Sequence, residues 1–220
     1  MLTIWLRVRP ILTAIREPVL KPVALKALRP TQITIGLREV SERRKQWRGK
    51  RGKKRDAFLG SHMIPVVLGP KDKHYVVDHH HLARALMEEG VRDVLVTVIA
   101  RLDGLEEEAF WIVLDNRGWM HPFDTAGHRR HYSDIPRSIG DLVDDPYRSL
   151  AGALRRAGGY SKETTPFSEF LWADFLRRRI KHRAVMKDFD DALAEALRLS
   201  KLTEAGYLPG WCGPVENDSA

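Results

Sequence analysis

The residues with the most chemical potential in this sequence are an aspartate and three histidines in the stretch YVVDHHHLARAL, residues 75–86. An apolar run precedes them and a run rich in alanine and leucine follows, which is typical of a strand that leads into a helix. The free N–H groups and the positive dipole end at the start of a helix attract anions. Histidines there can donate to a phosphate or act as general acid or base near neutral pH. We therefore expect a phosphate or nucleotide site formed by Asp78, His79, His80 and His81.

Two other interpretations of this stretch stay open. Asp78 is also a typical N-cap residue, in which case the histidines are ordinary surface or core groups. Neutral imidazoles are, alternatively, good metal ligands, but adjacent histidines on one turn cannot all face one ion. Further ligands would come from the loop GWMHPFDTAGHRRHY, residues 118–132, unless packing of its aromatic residues is its only role. The metal ligands expected under this interpretation are Asp78, His121 and Asp124.

Basic residues are concentrated in SERRKQWRGKRGKKRD, residues 41–56, and the whole chain has a net charge of +8. This excess favours anionic partners, namely nucleotides or nucleic acid. Trp47 could stack on a base, although such a run can also be a solvated loop. The expected nucleic-acid-binding residues are Arg48, Lys50, Arg51, Lys53, Lys54 and Arg55.

Length and composition limit the class of protein. A chain of 220 residues with 43% hydrophobic residues can form one good core with a smaller helical appendage. A single cysteine, Cys212, excludes a disulfide framework. Residues 1–20 contain arginines and prolines and resemble neither a signal peptide nor a membrane anchor, and no apolar run approaches the roughly 20 residues that span a bilayer. We expect a soluble, cytoplasmic protein with no membrane association and leave its oligomeric state open.

The hydrophobic pattern predicts an α+β protein. Strands are expected over Gln32–Ile35, Ile64–Leu68, residues 74–78 and residues 93–102, with the second and third forming a hairpin. Helices are expected over Leu37–Trp47, Leu82–Glu89 and residues 105–114, the first decaying into the basic segment as a loop.

The C-terminal third has mainly helical patterns. Asp145-Pro146 is a typical helix start. Thr165 is expected to cap a helix with Pro166 at its first position, and a further helical pattern covers residues 184–202. The expected division is a lead-in segment at 1–27, a main domain at 28–135 and a helical extension at 136–220.

Several strings together resemble one known group of proteins. LRPTQITIGLREV, IPVVLGP and YVVDHHHLARAL, followed by DDPYRSLAGALRRAGGY and TPFSEFLWADFLR, are similar to the ParB/sulfiredoxin superfamily, and specifically to the ParB-like nucleases of the second ParB-like nuclease domain family. The similarity covers roughly residues 28–182. It implies a small mixed sheet with flanking helices, in which the Asp-His-His-His stretch is a phosphate-binding turn.

The same resemblance implies roles for individual residues. Relatives that phosphorylate free serine use a similar turn and a glutamate in the first helix as base, which corresponds to Glu39 beside Asp78, His80 and His81. ATP or CTP is the implied nucleotide, and Mg²⁺ or Mn²⁺ a possible metal. This chain has His79 where those relatives have glycine and Leu82 where they have arginine. Arg84, or an arginine of the basic segment, would have to replace the missing phosphate ligand.

Two functions of different classes follow. The first is a ParB-like enzyme that acts on a phosphate-containing substrate, as a nuclease or a nucleotide-dependent phosphotransferase or hydrolase, with Glu39, His80 and His81 as catalytic residues. The alternative is a non-catalytic module that binds DNA or nucleotides and is related to the ParB proteins of chromosome partition.

Overall fold

The computed structural model of the chain describes residues 17–214. Within them the fold is a mixed α+β fold, as expected. The strands are β1 (Glu17–Ala24), β2 (Leu28–Arg29), β3 (Thr34–Ile35), β4 (Ile64–Gly69), β5 (Lys73–Val76), β6 (Asp93–Arg101) and β7 (Val143–Asp144). The helices are α1 (Leu37–Arg48), α2 (Lys53–Ser61), α3 (His80–Glu88), α4 (Glu107–Asn116), α5 (Pro146–Arg156), α6 (Ser168–Arg177), α7 (His182–Lys187) and α8 (Phe189–Ser200).

Five strands form one mixed sheet in the order β1-β6-β4-β5-β2. The predicted hairpin is confirmed, since β4 and β5 pair antiparallel. Strand β4 pairs parallel with β6, and β2 pairs parallel with β5. Strand β1 lies in the predicted lead-in segment and pairs antiparallel with β6, so this part of the segment belongs to the sheet. The predictions made for residues 1–16 lie outside the described residues.

A second, two-stranded sheet joins the main body to the C-terminal third. The strand expected from Gln32 begins at Thr34 and pairs parallel with β7, more than a hundred residues later. At the end of the pair, the Leu37 N–H donates to the Asp144 carboxylate over 2.9 Å. This connection places the start of α1 next to the start of α5.

Apart from shifts of one or two residues in α1 and α4, the helices differ from the sequence prediction in the following places. The basic segment is not a loop throughout, because it contains α2. Helix α3 begins at His80 rather than Leu82. Helix α6 begins after Phe167, whose left-handed φ of +58° prevents the helix from starting at Pro166. The last helical pattern is divided at Asp188, whose extended backbone and side chain cap α8. The start at Asp145-Pro146 is confirmed, since Asp145 caps α5.

Apolar side chains pack in three groups. One lies between the sheet, α1 and α3 and includes Val66, Val96 and Leu86. Another includes Val67 and Phe110 and joins the sheet to α4. Because neighbouring residues of one strand point to opposite faces, helices cover the sheet on both sides. The third group holds α5, α6 and α8 together. Each helix between residues 17 and 214 is too short or too polar to cross a bilayer.

Candidate functional site

The stretch Asp78-His79-His80-His81 forms a tight turn between β5 and α3. His79 is left-handed, with φ of +67° and ψ of +24°, a conformation that glycine adopts far more easily than other residues. The Asp78 carboxylate accepts the His79 N–H over 2.6 Å. No side chain caps α3, whose regular bonding begins with the Ala83 N–H and the His79 carbonyl. Within the described part of the chain, the N–H groups of His80, His81 and Leu82 therefore have no acceptor.

His80 points into the core and is only 4% exposed. Its Nε2 accepts the Thr31 N–H over 3.2 Å, and the Thr31 hydroxyl donates to the Val76 carbonyl over 2.7 Å. Burial lowers the pKa of His80 to about 4, so the ring is neutral at pH 7. His80 thus ties the start of α3 to the chain before β3, and it does not line the cleft described below.

His81 points the other way and lies against Glu39 of α1. Its Nε2 is 3.2 Å from the Glu39 Oε2 atom and 3.2 Å from the Gly36 nitrogen. Burial lowers the pKa of His81 to about 3, and the positive charge of Arg148 acts in the same direction. Burial alone would raise the pKa of Glu39, but Arg148, with Arg156, outweighs it and holds that pKa at about 2. The predicted base is therefore a fully ionised carboxylate beside a neutral imidazole.

Arg148 of α5 is the centre of a buried ionic network that joins three helices. It is 5% exposed, and its Nη1 donates to the Glu39 Oε2 atom over 3.0 Å. Its Nη2 donates to the Glu169 carboxylate of α6, and its guanidinium lies over the Phe170 ring. The Nε of Arg148 is buried and has no acceptor among the described residues.

Each carboxylate in this network has a second arginine. Arg156 Nη1 donates to the Glu39 Oε1 atom over 2.7 Å, and Arg155 Nη2 lies 3.0 Å from the Glu169 Oε1 atom. The sequence interpretation missed these residues. A signal was present, because Arg148, Arg155 and Arg156 are seven and eight residues apart and so share one face of a helix.

Two glycines allow α1 and α5 to approach closely enough for this network. A Cβ atom at Gly152 would lie 2.0 Å from the Glu39 Oε1 atom, and one at Gly36 would lie 2.7 Å from the Ser149 hydroxyl. Atoms cannot be that close, so a side chain at either position would force a shift. Gly152 thus provides the space that the Glu39 carboxylate occupies.

The turn and the network both line one cleft of about 750 Å³. Its charged wall has six basic and six acidic side chains: Arg38, Arg43, Arg148, Arg155, Arg156 and Lys162, with Glu39, Glu42, Asp78, Glu163, Glu169 and Asp190. Within residues 17–214, Arg38, Arg43 and Lys162 have no carboxylate partner, and Arg43 bonds Gln46 instead. These cations are available to an anionic ligand.

Arg84 is not part of this cleft. Its Nε donates to Glu88 over 2.6 Å, and its Nη1 donates to the Gly140 carbonyl over 2.5 Å, with Ile139 and Leu142 carbonyls nearby. Arg84 therefore stabilises the loop before β7 and does not replace the arginine missing at Leu82. Leu82 itself is buried at the edge of the cleft.

The three predicted metal ligands are not brought together. Asp78 lines the large cleft, whereas His121 and Asp124 line a separate cavity of about 160 Å³. Asp124 accepts the Ala126 and His128 N–H groups and is paired with Arg130, which gives it a structural role. Across residues 17–214 no three His, Cys, Asp or Glu side chains cluster as metal ligands. In the cleft, Glu39 and Glu169 are already neutralised by arginines, so the residues present do not fit a divalent ion.

His121 is held by aromatic rings. Its imidazole stacks on Phe123 at a centroid distance of 4.4 Å and lies 4.0 Å from Phe170. Burial lowers the pKa of His121 to about 3, with Arg148 acting in the same direction. His121 is therefore a neutral packing residue in this structure.

Of the basic side chains in the segment 41–56, Arg43 lines the cleft and the others lie outside it. Arg48 pairs with Glu89, Lys50 lies over the Phe58 ring and Arg55 over the Trp47 ring. Trp47 is only 5% exposed, so the expectation that it stacks on a base is wrong. Arg51, Lys53 and Lys54 are exposed and, within the described residues, unpaired with any carboxylate.

The comparisons with known proteins agree with the resemblance seen in the sequence. Residues 21–178 match the model of the family described as "Putative ParB-like nuclease", and the chain belongs to this family. It is also similar to a solved structure, the crystal structure of protein Atu1540 from Agrobacterium tumefaciens, with 56% sequence identity and a TM-score of 0.85. That similarity covers 90% of this chain and 99% of the other. No curated protein matches the chain.

Proposed function

We propose that this protein acts on a phosphate-containing substrate that binds in the cleft at the start of α3, as a nucleotide-dependent phosphotransferase or hydrolase or as a nuclease. The observation that carries the proposal is the turn at His79. It leaves the N–H groups of His80, His81 and Leu82 without acceptors, beside a cleft that contains several unpaired cations. Backbone N–H groups at a helix start are good donors to a phosphate.

The conformation of His79 supports this use of the turn. Related turns have glycine at this position, and His79 adopts the left-handed backbone that glycine would provide. The replacement therefore costs some strain, about 1 kcal/mol, but leaves the N–H groups in place. A mixed sheet with a hairpin before this turn also supports a ParB/sulfiredoxin-like architecture for residues 28–135, to which β1 of the lead-in segment adds an edge strand.

The side chains would have different roles. Backbone N–H groups and Arg43 would bind the phosphate, and His81 would contact it as a neutral donor or acceptor. Glu39 would act as general base, but only after its arginine partners move, because a carboxylate with a pKa of about 2 is a weak base. His80 would position the turn. ATP or CTP is the substrate class we favour, in keeping with the cytoplasmic location expected from the sequence.

Isothermal titration calorimetry with ATP, CTP, ADP and AMP tests the proposal. The informative pair is His79→Asp and His79→Asn, because both residues tolerate a left-handed backbone and differ only in charge. We expect His79→Asn to bind within a few-fold of the wild type. His79→Asp places a carboxylate where the phosphate would lie. It should weaken binding by about 10-fold or more, because the free energy of one charged hydrogen bond corresponds to a change of that size in Kd. Equal affinities for the two variants would refute the turn as the phosphate site.

Catalysis needs its own assay. Wild type and Glu39→Gln would be incubated with the nucleotide that binds, with free serine as a trial acceptor, and separately with supercoiled plasmid. Phosphate release, phosphoserine and DNA nicking would each be measured. Activity that persists fully in Glu39→Gln would exclude Glu39 as the base.

A second candidate function, DNA binding, is favoured by one observation. Arg51, Lys53 and Lys54 are exposed at the start of α2 with no acidic partner in the described structure. Changing all three to glutamine should lower the slope of log K against log salt for duplex DNA by about 3, since each phosphate contact contributes about 0.9. An unchanged slope would mean that this surface is only solvated.

A further inference from the structure

Arg148 and Arg155 both have a buried Nε with no hydrogen-bond partner among the described residues, and Arg148 is the more buried of the two side chains. Its guanidinium is almost fully buried, yet its Nε donor has no acceptor within the described structure. A buried donor without a partner keeps its desolvation cost, and native proteins rarely leave one without a reason. Because Arg148 also lines the cleft, an incoming anion is one partner that would complete its hydrogen bonding.

Each of the two carboxylates that bind Arg148 has a second arginine as a partner. Glu39 already bonds Arg156, and Glu169 already lies beside Arg155. If Arg148 turned toward a ligand, neither carboxylate would be left as an unpaired buried charge. Moving Arg148 away from a buried carboxylate would otherwise leave that charge uncompensated, and the second arginines reduce this cost.

Arg148 is also close to the predicted phosphate turn. The Glu39 Oε2 atom lies 3.0 Å from Arg148 Nη1 and 3.2 Å from His81 Nε2, so the guanidinium and the imidazole meet at one oxygen. Arg148, His81 and the turn residue His79 all line the same cleft. In contrast, the position that carries arginine in related turns is a buried leucine here, Leu82.

We propose that Arg148 joins the turn N–H groups and Arg43 in binding the anionic group of the ligand, and that Glu39 is a counter-ion which leaves Arg148 when the ligand binds. This inference rests on the proposed function, because it concerns the same cleft. It supplies from α5 the guanidinium that Leu82 cannot supply from α3. It also links binding to chemistry, since a Glu39 carboxylate that loses its main cation becomes more basic.

The proposal predicts opposite effects for the two partners of one ion pair. Glu39→Gln removes the competing carboxylate and should tighten the binding of ATP, CTP and inorganic pyrophosphate by about 5-fold or more. Arg148→Lys keeps the charge but loses the planar fork, and should weaken the same binding by about 10-fold or more. The matched control is Arg198→Lys on α8, an exposed arginine paired with Glu195, which should leave the affinity unchanged.

Calorimetry on the full chain distinguishes the possible failures. A gain in affinity in Glu39→Gln cannot come from misfolding, so it would support the proposal even if Arg148→Lys is destabilised. If the wild type binds and His79→Asp abolishes binding, but Glu39→Gln and Arg148→Lys stay within two-fold, Arg148 is only structural and this inference fails while the proposed function stands. If the wild type binds none of the three probes, both fail.

Discussion

Replacing Gly152 by alanine should destabilise this protein, although alanine is the better helix former. The new Cβ would lie 2.0 Å from the Glu39 Oε1 atom, so the carboxylate has to leave its place between Arg148 and Arg156. Losing this largely buried pairing costs about 3 kcal/mol, at the low end of the usual range because Arg156 is half exposed. Alanine in place of glycine returns about 1 kcal/mol of helix stability. The expected net loss is about 2 kcal/mol, or about 4–8 °C in Tm for a chain of this size.

Urea unfolding of four proteins measures this effect: wild type, Gly152→Ala, Glu39→Ala and the double variant. In the Glu39→Ala background there is no carboxylate to displace, so the same change should stabilise by about 1 kcal/mol. The matched control is Gly60→Ala in α2, where an added Cβ meets nothing within 4 Å. The reasoning is refuted if Gly152→Ala is as stable as wild type, or if its effect is the same with and without Glu39.

Three further predictions concern charge and the loop contacts. The pKa of Glu39 is held at about 2, below its value in the unfolded chain, so its ion pairs stabilise the fold above about pH 4 and are lost as the pH falls toward 2. In urea titrations, the difference in unfolding free energy between wild type and Glu39→Gln should therefore shrink over that interval. Burial lowers the pKa of His121 to about 3, so below about pH 6.5 the unfolded chain binds a proton at this ring that the folded chain does not bind, and acidification destabilises the fold. His121→Phe should therefore reduce the pH dependence of the unfolding free energy by about one proton between pH 6 and 4. An unchanged slope would show that the ring is already charged in the folded protein. Arg84→Met should lower the free energy of unfolding by about 1–3 kcal/mol, because the loop carbonyls lose their donor, and should leave nucleotide affinity unchanged. A loss of affinity in a folded variant would show that Arg84 contributes to ligand binding after all.

Much of the local structure could be predicted because its causes are local. The alternation of β4 and β5 around a short turn predicts the hairpin, and the Asp145-Pro146 pair predicts the start of α5. Two of the unforeseen features lie at positions of unusual backbone. Phe167 and His79 adopt a left-handed backbone although they are not glycine, so the residue type does not predict that conformation at either position. The start of α6 was therefore placed too early, and the left-handed backbone of the turn at His79 could not be predicted.

The candidate site was predictable only in part. Asp78, His79 and His81, which the sequence places at a strand-to-helix turn, line one cleft with Glu39, which the resemblance adds to them; their roles there stay predictions. The sequence could not show which of His80 and His81 faces the core and which faces the cleft. Neighbouring residues on a helix point about 100° apart, and which of them faces the core depends on what packs there. In this fold Thr31 packs there, and its backbone N–H donates to His80 Nε2.

The fold class and a strand-to-helix turn at residues 78–81 could be predicted from local patterns, and the quoted strings carried the resemblance to the family, because all of these are properties of residues that are near one another in the chain. The tertiary structure alone decided which charges meet. Arg148 and Glu39 are 109 positions apart, and they pair because β3 and β7 set α1 beside α5 and because Gly152 leaves room between them. It also decided that Arg84, His121 and Asp124 stabilise loops away from the cleft. Such pairings follow from the packing of distant segments, and no local pattern encodes them.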